Sequence, residues 1–187
     1  MVTVKAQNLE IIELRLKNIK DGVPKVVVKA INKTLPIIEK KLLEKATERY
    51  GIKSRYLKRD IKKVVATRNY MKGYIDVKGK RHMLHHFKFS GTIPSVKGKR
   101  VNISILKGEK KNMGGSTFLF GNKNGDPIIV KHNEGSTHRN GFKALFGLST
   151  PQMTGSEKLK KPINDEIEEV LDSEMEKETN RLLKGGG

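Results

Sequence analysis

The sequence contains no cysteine and no tryptophan, and only 5% of its residues are aromatic. Without cysteine the chain can form neither a disulfide nor a thiolate nucleophile, and a reducing compartment such as the cytoplasm is the expected setting. The shortage of aromatic side chains leaves little material for the base-stacking platforms of single-strand binding proteins. Any contact with nucleic acid is therefore expected to involve the backbone rather than the bases.

Long hydrophobic runs are also absent. No apolar stretch approaches the roughly 20 residues of a membrane-spanning helix. The first residues, MVTVKAQNLEIIELRLKNIK, lack the continuous apolar core of a signal peptide. We therefore expect no membrane contact and no secretion by that route. The length of 187 residues predicts a single domain.

Acidic residues are few compared with basic ones. The chain has 39 Lys and Arg against 20 Asp and Glu, so its formal net charge is +19. A field of this sign attracts polyanions, which makes nucleic acid the first partner to consider. Residues 162–187 are the exception, with eight acidic and three basic side chains. This acidic segment is expected either to dock on the basic body of the same or a neighbouring chain or to form a solvated helix.

Residues 24–51 predict a long core helix. Pro24 stands at a plausible first helical position and Gly51 just past the end. Pro36 lies inside the segment and lacks a backbone donor, so we expect either a kink or two helices that meet there. Apolar residues recur three or four apart and form one face, consisting of Val27, Ile31, Leu35, Ile38, Leu42 and Ala46.

Two further segments favour helices, and one is ambiguous. Residues 54–63 predict a short basic helix with Ser54 as its N-cap. A final amphipathic helix is expected within 156–184, and Pro162 favours a start near that residue. Residues 9–21 mix helical and strand spacing, and periodicity alone does not decide between them.

The middle of the chain changes to the alternation that is typical of strands. An Asn-Gly pair at residues 124–125 predicts a tight turn between two of them. The predicted class is therefore α+β, with N-terminal helices, a central antiparallel β-sheet meander and a C-terminal acidic amphipathic helix. Within the single domain, a basic body over 1–155 carries a helical extension over 156–187. The predicted strands lie within 74–79, 100–108, 116–122 and 127–133.

The five histidines do not indicate an enzyme. A metal-dependent hydrolase needs three or more ligands that converge, supported by carboxylates. The spacing around His132 and His138 is too tight for a His-Asn-His nuclease, and Glu134 is isolated in a basic background. We therefore predict surface or loop histidines, no catalytic residues, no metal site and no cofactor. The remaining histidines are His82, His85 and His86.

The glycine-rich stretch GEKKNMGGST, residues 108–117, is not a phosphate-binding loop of the nucleotide-hydrolase type. The required lysine before the hydroxyl residue and the glycine spacing are both missing. We expect a basic hairpin loop here. Like SVKGKR at 95–100, it is either an ordinary solvated loop or a loop that reaches a phosphate backbone.

Six stretches follow one another along the chain as landmarks, namely KAINKT (29–34), ERYGIKSRYLKRDI (48–61), LHHFKFS (84–90), VNISILKG (101–108), TFLFG (117–121) and LFGLSTPQM (145–153). This series resembles the phage minor tail protein Z family, the tail completion proteins of long-tailed phages and prophages, over roughly residues 25–155. That family has an Ala-Ile-Asn run on its N-terminal helix and a closing loop that reads Tyr- or Phe-Gly-Pro-Ser-x-Pro-Gln-Met. Here Leu148 replaces the first proline of the loop, and Pro36 interrupts the long helix.

The resemblance implies a structural, non-enzymatic virion protein at the head-proximal end of the tail, assembled in the host cytoplasm. It implies a homo-oligomeric ring, hexameric in the family, that contacts the tail terminator and head-tail connector proteins. The apolar loop would then be a subunit or partner contact that buries Phe146, Leu148 and Met153, the alternative being that they pack on their own sheet. The expected contact residues are Leu145, Phe146, Gly147, Leu148, Pro151, Gln152 and Met153.

The genome passes through or stops at this joint, so a positive lining would hold DNA without reading its sequence. A positive surface that faces an acidic neighbour explains the charge equally well. The alternative function is a free basic nucleic-acid-binding protein without enzymatic activity, and a metal-dependent nuclease is a distant third. The candidate DNA-backbone contacts are Arg55, Lys58, Arg59, Lys62, Lys63, Lys97, Lys99 and Arg100.

Overall fold

The structure is a computed structural model that describes residues 2–6, 9–91, 101–114, 116–121, 126–133 and 141–185. The chain forms two compact units. Unit 1 is drawn from residues 1–43, 61–78 and 154–187, and unit 2 from residues 44–60 and 79–153. The single domain expected from the length, with its division at residue 155, stays a prediction.

Helices and antiparallel strands both occur, which confirms the α+β class. The helices are α1 (Glu10–Arg15), α2 (Gly22–Arg49), α3 (Ser54–Lys58), α4 (Thr150–Thr154) and α5 (Glu157–Leu183), with a 3-10 turn at Leu84–His86. The strands are β1 (Val2–Lys5), β2 (Ile61–Val64), β3 (Lys72–Val77), β4 (Arg81–Met83), β5 (Lys88–Ser90), β6 (Asn102–Ser104), β7 (Lys111–Asn112), β8 (Thr117–Gly121), β9 (Pro127–His132), β10 (Phe142–Ala144) and β11 (Phe146–Ser149).

Unit 1 contains an antiparallel sheet in the order β1-β3-β2. Val2 lies opposite Ile75 at one side of β3, and Ile61 lies opposite Val77 at the other. The core combines one face of the sheet with the apolar faces of the long helices, as their three-to-four spacing requires. Its buried side chains include Val4, Ile31, Leu35, Ile38, Leu42, Ile75, Ile163, Ile167 and Leu171.

Two residues fix how α2 meets the β2–β3 hairpin inside unit 1. The amide of Asn32 donates to the backbone oxygen of Ala66 at 3.1 Å and accepts from its backbone nitrogen at 2.8 Å. Gly73 allows β3 to approach the helix closely, because an added Cβ would lie 2.6 Å from Cγ2 of Ile31. Asn32, part of the KAINKT landmark, thus has a structural role.

The acidic helix α5 makes ion pairs with α2 of the same chain. Glu178, whose side chain is only 3% exposed, pairs with Lys33, and Glu166 lies 3.2 Å from Lys41. Arg15 of α1 also donates to the side-chain oxygen of Asn180 at 2.7 Å. Of the two expectations for this segment, docking on the same chain therefore describes these contacts.

Unit 2 contains three small antiparallel sheets instead of the single meander expected. Strands β5, β6 and β7 form one meander and β8, β9 and β10 another, while β4 pairs with β11. Phe118 lies opposite Val130, so the predicted pairing of β8 with β9 is confirmed, whereas the Asn-Gly turn lies outside the described residues. The register of β4 with β11 shifts between Phe146 and Ser149.

The two prolines inside helices bear on the predicted boundaries in different ways. Helix α2 is assigned without a break through Pro36, so of the two alternatives expected there the meeting of two helices is wrong. The predicted start near Pro162 is also wrong, because α5 begins at Glu157. Leu35 and Ile38 are both 0% exposed. Burial of such side chains contributes about 1.5–3 kcal/mol each, which together offsets the cost of about 3 kcal/mol for an internal proline. Leu159 and Ile163, which lie on either side of Pro162 in α5, are also buried.

The short basic helix is shorter than predicted. Helix α3 ends at Lys58, Lys53 occupies its N-cap position, and Ser54 is the first helical residue. Residues 61–64 form β2, because their β-branched side chains and backbone groups pair with β3. The ambiguous segment 9–21 contains the helix α1, and the strand expected over 100–108 is limited to β6.

The predicted apolar loop over 144–153 is a strand followed by a short helix, β11 and α4. Across the ranges that the structure describes, no helix is long and apolar enough to cross a membrane.

Candidate functional site

The predicted contact residues differ widely in exposure. Phe146 is 47% exposed and Gln152 is also exposed, whereas Gly147 is buried. Met153 is 0% exposed within the chain, so the expectation that assembly buries it is wrong. Its position on α4 turns it inward, which the loop interpretation did not anticipate. Leu145, Leu148 and Pro151 are partly buried.

Hydrogen bonds hold the β11–α4 turn in place. The side-chain oxygen of Gln152 accepts from the backbone nitrogen of Ser149 at 2.9 Å and from its hydroxyl at 3.1 Å. Arg81 Nε donates to the backbone oxygen of Gly147 at 2.9 Å. Gly147 lies against Phe87, where an added Cβ would approach a ring carbon to 2.7 Å. These landmark residues therefore stabilise a backbone shape.

Beside this turn lies a shallow depression of about 650 Å³. Phe146 provides its large apolar side chain, and Lys80 and Arg81 provide positive charge. We call these three residues the Phe146 surface. An exposed aromatic ring with cationic neighbours is typical of a protein contact.

A buried polar network joins three separate segments of unit 2. The hydroxyl of Thr150, a residue that is 0% exposed, donates to the carboxylate of Asp60 at 2.5 Å. His82 Nε2 lies 2.7 Å from the same hydroxyl oxygen and 3.4 Å from Asp60. Since the hydroxyl proton is given to Asp60, His82 Nε2 must be the protonated nitrogen. The arrangement ties together the segment that follows α3, the strand β4 and the start of α4.

The network continues through His86 to the surface. His86 Nδ1 lies 3.4 Å from His82 Nδ1, and the His86 ring stacks on Tyr56 with centroids 3.9 Å apart. The guanidinium groups of Arg55 and Arg59 lie 4.8 and 5.4 Å from the Tyr56 ring centroid. Arg55 of α3 and Arg59 at its C-cap position thus both lie close to the Tyr56 ring.

The surroundings of His82, His85 and His86 lower the pKa of each imidazole. Burial lowers the pKa of His82, although the charge of Asp60 acts to raise it. Burial also lowers the pKa of His85, although the charge of Asp126 acts to raise it. The pKa of His86 is lowered to about 4, by burial first and then by its histidine and arginine neighbours. The prediction of simple surface histidines is therefore wrong for His82, which is 5% exposed.

The burial of Thr150 and the orientation of His82 differ from the arrangement of an activated nucleophile and its base. Thr150 is inaccessible to a substrate, and the imidazole of His82 contacts Asp60 through the same nitrogen that faces the hydroxyl. Among the residues with described positions, no group of three or more His, Asp or Glu side chains could hold a metal ion.

The candidate DNA contacts are divided between the two units. Arg55 and Lys58 are exposed on α3 in unit 2, and Arg59 is exposed at the C-cap position of that helix. Lys62 and Lys63 lie on β2 in unit 1, not on the short helix, and Lys63 pairs with Glu39. The other three, Lys97, Lys99 and Arg100, lie outside the described residues.

Sequence reasoning missed a groove in unit 2. It has two adjoining lobes of about 410 and 430 Å³, which share Lys88, Phe89 and Lys107. Lys53 lines the first lobe and Lys110 the second. We call Lys53, Lys88, Lys107 and Lys110 the lysine groove. Of these, only Lys110 belongs to a stretch that the sequence marked as a basic loop.

Gly51 explains why these lysines meet. Its backbone nitrogen donates to the oxygen of Ile105 at 2.9 Å, and its oxygen accepts from the backbone nitrogen of Lys88 at 2.5 Å. An added Cβ would lie 2.4 Å from the backbone oxygen of Ser104. The glycine thus brings the segments that carry Lys53, Lys88 and Lys107 side by side.

Most of the excess positive charge belongs to unit 2. Its residue ranges contain 19 basic and 6 acidic residues, against 20 basic and 14 acidic residues in unit 1. Unit 2 is therefore the part of the chain that attracts polyanions most strongly.

Comparisons with known proteins give no match for the chain. No protein-family model matches it, and searches of curated proteins and of solved structures give no match. Function therefore has to be inferred from the residues and their geometry.

Proposed function

We propose that this chain is a structural, non-enzymatic protein that completes the head-proximal end of a long phage tail and helps to join tail and head. The observation that carries the proposal is the ordered series of landmarks between residues 25 and 155. The chain would act in a homo-oligomeric ring, of six subunits as in the family it resembles. Its neighbours would be the tail terminator and head-tail connector proteins.

The structural roles of several landmarks support this proposal. Asn32 bonds the backbone at Ala66, Gln152 bonds the backbone at Ser149, and Gly147 admits the ring of Phe87. Residues with such contacts stabilise the backbone conformation and have no need of a role in catalysis. The pattern is therefore compatible with a protein whose task is assembly.

The Phe146 surface is the proposed contact with a neighbouring subunit or partner. Phe146 remains 47% exposed although the adjacent Gly147 is buried. Covering such a ring removes apolar area from water, and the flanking Lys80 and Arg81 would select an acidic neighbour.

Deletion and complementation test the proposal. Phage or prophage particles that lack this chain should be headless or defective in DNA content, and the wild-type gene should restore them. Phe146→Ser should fail to restore them while the purified protein keeps its thermal stability. Phe120→Ser is the matched control, because Phe120 is 44% exposed on β8. Normal infectious particles from the deletion strain would refute the proposal.

A second candidate function is free, sequence-independent binding of nucleic acid, and the charge of unit 2 favours it. This function predicts tight binding of duplex or single strand near physiological salt, with a steep salt dependence. Binding that disappears at moderate salt would count against it. In the tail, the same surface would hold the end of the genome.

A further inference from the structure

The four lysines of the lysine groove are exposed and carry positive charge that the described residues do not neutralise. Lys53, Lys88, Lys107 and Lys110 are all exposed. Over the described parts of the chain, none of the four forms an ion pair, and none of the described residues that line the groove is a carboxylate. Glu109 lies near two of these lysines in sequence but does not line the groove, and Asp126 acts on His85 at its margin.

We propose that the lysine groove binds a single strand of nucleic acid, with phosphates on the lysines and a base against Phe89. The inference deepens the proposed contact with nucleic acid and rests on it. It identifies both the form of the nucleic acid and the surface that receives it.

The size of the groove favours a single strand over a duplex. Each lobe has a volume of about 410–430 Å³, within the range of sites that enclose a small ligand. One nucleotide fits such a space, and two adjoining lobes fit successive nucleotides. A duplex can contact the exposed lysines, but its bases are paired and stacked, so it has no free base to place against Phe89.

Three of the ten Phe and Tyr residues of the chain line the groove. Tyr56, Phe87 and Phe89 all line the first lobe, and Phe89 also lines the second. Tyr56 already stacks on His86, and Phe87 is only 3% exposed. Phe89 is partly exposed at the position shared by both lobes, so its ring is the one placed to stack on a base.

Fluorescence anisotropy with a labelled oligothymidine of about 12 nucleotides, within the site sizes of single-strand binding folds, tests the inference. Each lysine that contacts a phosphate contributes about 0.7 to the slope of log affinity against log salt. The double variant Lys88→Gln, Lys107→Gln should therefore bind more weakly, with a slope reduced by about 1.4. The double variant Lys17→Gln, Lys20→Gln is the control, because it removes the same charge from exposed positions in unit 1.

Phe89→Leu separates stacking from charge. Leucine keeps an apolar side chain on β5 but cannot stack on a base, so affinity should fall about 5-fold or more with an unchanged salt slope. Circular dichroism should show the same melting transition for all variants, because the substituted side chains are exposed or partly exposed.

The outcomes distinguish the groove from the broader proposal. Binding that responds equally to groove and control substitutions would overturn the groove while leaving a nucleic-acid contact elsewhere. Absence of any binding at low salt would overturn both. A duplex that competes better than the single strand would also overturn this inference. Polyglutamate that competes equally at the same charge concentration would overturn it in favour of an acidic protein partner. Incorporation into particles is measured independently of all these results.

Discussion

Removal of one buried hydroxyl should measurably destabilise unit 2. In Thr150→Val the side chain keeps its shape but loses the contacts to Asp60 and His82. Hydrogen bonds to charged groups contribute about 1.5–3 kcal/mol, and the Asp60 side chain, which is 22% exposed, can regain some hydration. We therefore expect the free energy of unfolding to fall by about 2 kcal/mol, at the lower part of that range.

Urea denaturation followed by circular dichroism measures this change. For a chain of this size, about 2 kcal/mol corresponds to a decrease in Tm of about 4–8 °C. Thr150→Ser is the matched control, since it retains the hydroxyl and loses one methyl group, at a cost of about 1 kcal/mol. The role assigned to the hydroxyl would be refuted if valine were tolerated, or if serine were as destabilising as valine.

Two further predictions concern ion pairing and pH. Lys33→Met should lower the free energy of unfolding by about 2 kcal/mol, because it leaves the buried carboxylate of Glu178 without its nearest cation. The loss should be smaller than for a fully buried pair, since Lys33 is half exposed. Lys29→Met, at an exposed position on the same helix, is the control. Equal effects of the two variants in urea denaturation would contradict the prediction. Because the folded-state pKa of His86 is lowered to about 4 from 6.5, the unfolded chain binds more protons between these values, and stability should decrease as the pH falls through this window. Denaturation at several pH values between them measures the effect, which should be smaller in His86→Gln, and a wild-type stability that does not change would disprove it.

Local periodicity predicted much of the fold. Helices α2 and α5 were predicted because their apolar residues follow the helical period over many turns. Strand β2 was missed because Ile61–Val64 carries a pattern too short to distinguish a strand from the end of a helix. Its pairing with β3 decides the conformation, and that partner lies outside any local window.

The candidate sites depend still more on distant contacts. Asp60, His82 and Thr150 form one network although the last two are separated by 68 residues in sequence. Lys53 and Lys88 meet because Gly51 hydrogen-bonds to β5, a contact that charge counting does not reveal. The exposure of individual side chains could not be predicted from the sequence either. The pattern around LFGLSTPQM does not distinguish the exposed Phe146 from the buried Met153.

The central claim is that this chain is a component of an assembled tail, and quantitative mass spectrometry of particles tests it most directly. Density-purified particles from the strain that encodes the chain would be digested, and its copy number measured relative to the main tail protein. The account predicts a few copies per particle, consistent with one ring. Complete absence of its peptides from particles that contain the other tail proteins would contradict the account.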